Sequence, residues 1–242
     1  MWSFAGAGFG LWSFLYGWKS LRLRRIIQEI PTSKVRSLAL GLAEVSGIIV
    51  PIKSTISPIL KKECVFYHTK VEEYRRSGKS GHWATIKELK IFFPFHIEDE
   101  TGKVLVENSN ADVRVKKDLQ YQTRAFSSCP EHVHTFCEEY GIVRTGLLGS
   151  RSLRFSEYVL EPMDRVYVLA SAKDNPFVKE FVNNQDNIIM GISEGVPYFV
   201  ISDYSERELL QQLFLRSYVA IFGGPVLFLA SLAYILWYLG MR

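Results

Sequence analysis

From Ser217 to Gly240 the chain carries no charged residue, and this run of 24 positions constrains the fold more than any other feature of the sequence. A helix rising about 1.5 Å per residue covers roughly 36 Å over that length, against about 30 Å for the hydrocarbon core of a bilayer. A core helix of a soluble protein seldom runs so far without a charge, so residues 217–240 read as a C-terminal transmembrane helix. Trp237 and Tyr238 lie near one end and Tyr218 near the other, where amphipathic rings anchor at the headgroups. Gly223, Gly224 and Pro225 are expected to loosen the helix about a third of the way along. Upstream, Ser205 with Glu208 three positions later has the pattern of a capping box. Residues 205–216 therefore form a juxtamembrane helix that continues into the span.

The other end is also uncharged, from Trp2 to Trp18, but that is 17 positions, near the lower limit for crossing. A cleaved signal would carry its positive charge before the apolar stretch. Here Lys19, Arg22, Arg24, Arg25, Lys34 and Arg36 follow it, opposed only by Glu29. Residues 1–18 are read as a retained membrane anchor, with a helix lying in the interface as the alternative. The basic flank places residues 19–204 on the cytoplasmic side and both termini outside, giving a multi-pass protein of the cell membrane. The arginines of LRLRRII are expected to reach lipid phosphates.

The middle holds nearly all the charge. With 48% hydrophobic and 22% charged residues the chain is not disordered, and a net charge of +4 is too mild to point to nucleic acid. Three Cys, an odd number, argue against a disulfide framework. The pattern is mainly that of strands. LAEVSGIIVPI alternates, and in CVFYHTKVEEYR the set Val65, Tyr67, Thr69, Val71, Glu73 faces one way and Cys64, Phe66, His68, Lys70, Glu72 the other. RRSGKSGHW reads as a polar loop. IFFPFHIED and GKVLVEN flank a hairpin connection at Glu100-Thr101-Gly102. PEHVHTFCEEYG reads as a short helix with Pro130 at its first turn, Gly141 past its end, and Val133, Phe136, Cys137 and Tyr140 inward. Two strands meet at Glu161-Pro162-Met163-Asp164, Phe177 to Asn183 suggests a helical turn, and NIIMGISEG with VPYFVISD suggests a final hairpin around Glu194-Gly195. The expected fold class is α+β: a mainly β soluble domain, residues 19–204, flanked by two transmembrane helices.

Chemistry is thin. Cys129, His132, His134 and Cys137 form C-x-x-H-x-H-x-x-C and are candidate metal ligands. On a helix they spread over roughly 200°, so convergence on one ion is not expected. Cys129 near a helix start lacks a His–acid arrangement that would make it a nucleophile. His96, Glu98, Asp99 and Glu100 are expected to be solvated turn residues, and His68 with Glu72 and Glu73 a cross-strand pairing. Phe92, Phe93, Phe95 and Tyr198 suit recognition as well as packing. No catalytic residue and no cofactor are expected.

PTSKVRSLALGLAEVSG, ECVFYHTKVEEYR, Trp83, PFHIEDETGKVLVE and EYVLEPMDRVYVLASA together resemble the GIDE-domain family, over nearly the whole chain including its helix–domain–helix layout. The similarity is closest to the archaeal-type, RING-less members. The resemblance implies a membrane-anchored domain for substrate or partner recognition. Ubiquitin ligases of the family carry a RING after the second helix, held by about eight Cys/His ligands on two zinc ions. This sequence ends at Arg242, and its Cys and His residues include no C-x-x-C, so autonomous ubiquitin transfer is not expected. The expected partners are the lipid bilayer and a protein beside it, with self-association open.

Overall fold

The computed structural model describes residues 2–78, 80–107, 110–123, 129–143, 145–146, 149–176, 187–193 and 198–240, in two compact units: 1–32 with 204–242, and 33–203. In chain order the principal elements are α1 (Trp2–Glu29), β1 (Gly41–Pro51), β2 (Phe66–Ser77), β3 (Ser80–Phe92), β4 (Phe95–Asp99), β5 (Gly102–Val106), β6 (Asp112–Arg114) and β7 (Leu119–Gln122). There follow α2 (Glu131–Glu139), β8 (Leu153–Leu160), β9 (Arg165–Asp174), β10 (Ile188–Gly191), β11 (Val200–Ser202) and α3 (Glu206–Gly240). The domain is mainly β, as the sequence indicates.

The first unit is an antiparallel pair of α1 and α3. Ser205 starts α3: Glu208 N–H donates to Ser205 Oγ at 3.3 Å, and Ser205 N–H donates to Glu208 Oε2 at 2.9 Å, a reciprocal cap. The helix then continues through Pro225 to Gly240 as one element. The two helices meet through small residues. A Cβ added at Gly10 would stand 2.7 Å from the Gly224 carbonyl oxygen, and one at Gly224 would stand 2.7 Å from the Gly10 carbonyl oxygen. Gly6 faces Ser231, and Gly17 faces Ala220 and Ile221. Such backbone proximity is how helices pack where apolar burial supplies no drive. The sides away from the contact expose Trp12, Leu15, Val219, Phe222, Val226 and Leu229.

Among the described residues one helix, α3, is long and apolar enough to cross a membrane, over Arg207–Trp237. The expectation of two such helices is thus met at the C-terminal end only. The helix α1 is rich in Gly, and it does not end at Trp18: it runs to Glu29, so Lys19, Arg22, Arg24 and Arg25 lie inside it rather than in a flank beyond it.

In the second unit, β1, β4, β5, β10 and β9 close on themselves in that order. All neighbours are antiparallel except β5 and β10. This is a five-stranded Greek-key barrel of OB type. Its core holds Val45, Ile49, Phe95, Ile97, Val104, Val106, Val168 and Met190. The strand β9 is central, with β1 on one edge and β10 and β11 on the other, which is why Val166 to Ala172 is an unbroken buried run. The hairpin expected between β10 and β11 is therefore not a pairing of those two strands; each pairs with β9. Its tip at Glu194-Gly195, and the turn expected over Phe177–Asn183, lie outside the described residues.

The loops of the barrel build a second sheet, β7-β8-β2-β3, all antiparallel. Its β2–β3 arm is inserted between β1 and β4, and β7, α2 and β8 between β5 and β9. RRSGKSGHW is not an open loop: β2 runs to Ser77 and β3 starts at Ser80, around Gly78 at φ +61°. One face packs on α2 through Val71, Val133, Phe136, Cys137, Leu153 and Phe155. The helix α2 closes as expected, with Gly141 at φ +64° and Ile142 N–H donating to the Cys137 carbonyl at 2.8 Å. The expected alternation fails at one step. Val65 joins Phe66 in the barrel core, while Cys64 packs with Tyr67 and Val159, because the strand is interrupted between Cys64 and Phe66.

Candidate functional site

The four basic residues of α1 do not share one environment. Ser20, Leu23 and Ile27 are buried, and Lys19, Arg22 and Arg25 are exposed around them. Arg24 is half-buried, its guanidinium 4.7 Å from the centre of the Phe214 ring of α3. Trp12, Tyr16 and Trp18 are exposed in the roughly two turns before Lys19. A ring-then-cation order along a helix suits the boundary between acyl chains and headgroups.

The C-x-x-H-x-H-x-x-C residues fall on different sides of α2. Cys137 is buried among Phe136, Leu153 and Phe155, and Cys129 packs against the same cluster. His132 is exposed, and so is His134, whose Nδ1 is 3.4 Å from Glu138 Oε2. Among the described residues no group of three His, Cys, Asp or Glu side chains is arranged to hold a metal ion. The third cysteine, Cys64, is fully buried, and burial followed by the nearby Glu157 carboxylate pushes its thiol up to about 12, so it is inert at neutral pH.

The acidic residues of the sheet and turns are held in place. Asp99 Oδ1 accepts from the N–H groups of Thr101 and Gly102 and from the Thr101 hydroxyl, and Oδ2 accepts from Val35 N–H at 3.0 Å. Burial pushes this carboxyl up, but the hydrogen bonds outweigh it and hold it below the ordinary carboxylate value. Glu73 pairs with Arg75 and Arg151 on the α2 side of the sheet. Glu72, on the opposite face, pairs with Arg154 at 2.7 Å and Lys70 at 3.2 Å. His68 Nε2 is 2.7 Å from Glu88 Oε1 on β3, which is the cross-strand pairing. Of the aromatic residues offered for recognition, Phe95 is fully buried and Phe92 packs on Phe66 and Phe95. Both belong to the core.

One polar anchor had no sequence signal. Glu157 is fully buried, and its carboxylate accepts from Ile59 N–H at 3.0 Å, Leu60 N–H at 2.7 Å and the Thr69 hydroxyl at 2.6 Å. It ties the 57–60 turn to the second sheet, and is a structural rather than a reactive acid.

The family model for GIDE, described as E3 Ubiquitin ligase, matches residues 66–236. The chain belongs to the GIDE family. The matched stretch starts at β2 and ends near the close of α3, so the GIDE unit comprises the second sheet, α2, the later barrel strands and the apolar helix together. No curated protein and no solved structure matches the chain.

Proposed function

We propose that this GIDE protein is a membrane-anchored adaptor whose β domain recognises a partner or substrate protein beside the bilayer. The observation that carries the reading is that one family unit joins a β domain with its own core to an apolar helix through the Ser205 cap. The exposed leucines, valines and aromatics of α3 are stable against lipid and costly against water. In this reading α1 enters the bilayer beside α3, both termini lie outside, and the basic group of α1 sits at the cytoplasmic headgroups with the β domain on that side. The name of the family favours a second reading, a component of a ubiquitin-ligase assembly. Against catalysis by these residues alone stands the zinc requirement of a RING, since the sequence has three Cys and no C-x-x-C.

The test is reconstitution. The protein in lipid nanodiscs is incubated with activating enzyme, conjugating enzyme and the ubiquitin-like modifier, and transfer is followed over time. The adaptor reading expects no acceleration over the background without it, and a discrete protein partner cross-linked from native membranes. Acceleration that survives chelators and is lost when residues 33–203 are removed would replace it with a zinc-independent ligase.

A further inference from the structure

The face of the β7-β8-β2-β3 sheet turned away from α2 meets the barrel core at Phe66, Leu160 and Tyr158 and carries rows of charged and aromatic residues beyond them. Cross-strand register sets Tyr158 beside His68 in one row, Ser156 beside Lys70 in the next, and Arg154 beside Glu72 in the third. The first row is a ridge: the His68 and Tyr158 rings stack with centres 5.8 Å apart, and Lys117 Nζ lies 5.8 Å from the Tyr158 centre. The third continues into another ridge, where the Arg154 guanidinium sits 4.5 Å over Trp83. Between them runs the row Gln120, Ser156, Lys70 and Glu88: Ser156 is small and buried, Lys70 leans to Glu72 in one ridge and Glu88 to His68 in the other. Residues 154 and 158 are four apart on one strand, so the ridges stand about 14 Å apart. The middle row is thus the floor of a trough across the strands, wide enough for one extended chain with its side chains.

The trough is cationic. Lys70 and Arg154 share a single carboxylate, Glu72, which leaves one positive charge in excess. Lys117 and Lys90 add two more at the rim, and Glu88, beside Lys70 on β3, takes one away, so four cations face two carboxylates. Lys90 lies over the Phe66 ring, 5.8 Å from its centre, and Lys117 donates to the Gln120 side-chain oxygen at 3.0 Å. The Trp83 and Tyr158 rings are half-buried, with Arg154 over one and Lys117 over the other, which suits contact with a chain lying along the trough rather than insertion into a bilayer.

We infer that this trough binds an extended acidic segment of a protein partner, its carboxylates meeting Lys70, Lys90 and Lys117 and its apolar side chains lying on Trp83 and Tyr158. The inference rests on the recognition role proposed above and gives that role a surface and a partner chemistry. The probe is a fluorescein-labelled ten-residue peptide of alternating Glu and Tyr, titrated by anisotropy into the full chain in nanodiscs of neutral lipid. Binding is expected, weakened at least tenfold by Lys70→Gln and by the pair Lys90→Glu with Lys117→Glu. It should be unchanged by Lys61→Glu, whose partner is Glu139 on α2. Circular dichroism of each variant establishes that the sheet is intact.

No binding, or equal weakening by Lys61→Glu, would overturn the inference. So would tighter binding of a ten-nucleotide oligothymidylate, or of vesicles with one-third phosphatidylserine, when measured with the same variants. If Lys70→Gln abolishes peptide binding but leaves the same partner cross-linked in native membranes, the adaptor reading stands and this face is not its surface.

Discussion

Over residues 6–17 of α1 and 220–231 of α3 the helix pair buries small residues where the barrel buries large ones, although Leu23, Ile27, Leu209 and Leu213 of the same helices are buried too. Between α1 and α3 the contact is made by Gly10, Gly17, Ala220 and Gly224, while Phe222, Val226 and Leu229 face outward. In the barrel Val45, Ile97, Val168 and Met190 are inside. On the proposed membrane-anchored reading the difference is one of solvent. In water apolar area drives burial at about 25 cal/mol per Å². Among lipid tails that drive is absent, and close backbone approach takes its place. A substitution should therefore act on one unit through size and on the other through polarity.

The largest effect is expected at Val168, fully buried in the central strand β9. Val168→Asp places a carboxylate there without a partner and should cost several kcal/mol, on the order of 3 or more, abolishing the cooperative thermal transition of the β domain. A normal transition would mean that β9 is not central. In the helix pair, size should matter instead. Gly224→Leu puts atoms where the Gly10 carbonyl stands and should separate α1 from α3 while leaving that transition in place. Separation can be read from an engineered link. An added Cβ at Gly6 lies 3.6 Å from Ser231 Cβ, within the range a disulfide spans. Gly6→Cys with Ser231→Cys should cross-link on mild oxidation, and adding Gly224→Leu should suppress it. Cross-linking that persists would remove the small-residue contact from the description.

Polar burial in the β domain gives smaller effects. Glu157→Gln exchanges an acceptor-only group for one that also turns an N–H toward donors, and should cost about 1.5–3 kcal/mol by chemical denaturation. The smallest concerns Asp164. Burial pushes its carboxyl up, with Glu161 adding repulsion, against a hydrogen bond from Glu161 N–H. A folded-state value above the unfolded one contributes stability at low pH that is lost as pH rises through the folded value. Asp164→Asn, which keeps the acceptor, should raise Tm slightly at pH 7 and not at pH 3. The same gain at both would show that the charge is irrelevant.

Local signals in the sequence were sufficient for α2 and α3. Pro130, Gly141 and the buried trio of α2 follow one helical period, and α3 is announced by its lack of charge. They were insufficient wherever pairing is long-range. GKVLVEN shows a strand, but nothing local brings Leu105 beside Ile189 to close the barrel. The strand β3 has side chains half-exposed on both faces, so it lacks the alternation that marks a half-buried strand. The break at Cys64–Phe66 goes with a change of partner: Glu63 and Cys64 pair with Ile56 and Thr55, whereas the chain from Phe66 onward pairs with β8 and β3. For the trough, alternation put His68, Lys70 and Glu72 together. Their neighbours Arg154 and Tyr158 lie more than 80 residues away in sequence and arrive only through the β2–β8 register. The basic residues of α1 were read as a flank because charge usually ends a span; here it is carried within the helix.

The function proposed above requires the helix pair to be embedded in a bilayer with the β domain on the cytoplasmic side. Single cysteines at Ser80→Cys, in the β2–β3 turn, and at Arg242→Cys, in a background with Cys129→Ser, can be challenged in intact cells with a membrane-impermeant maleimide. The expected result is labelling of Arg242→Cys from outside, and of Ser80→Cys only after the cells are opened, with both variants resisting alkaline carbonate extraction. Labelling of Ser80→Cys in intact cells, or release of the protein by carbonate, would contradict it.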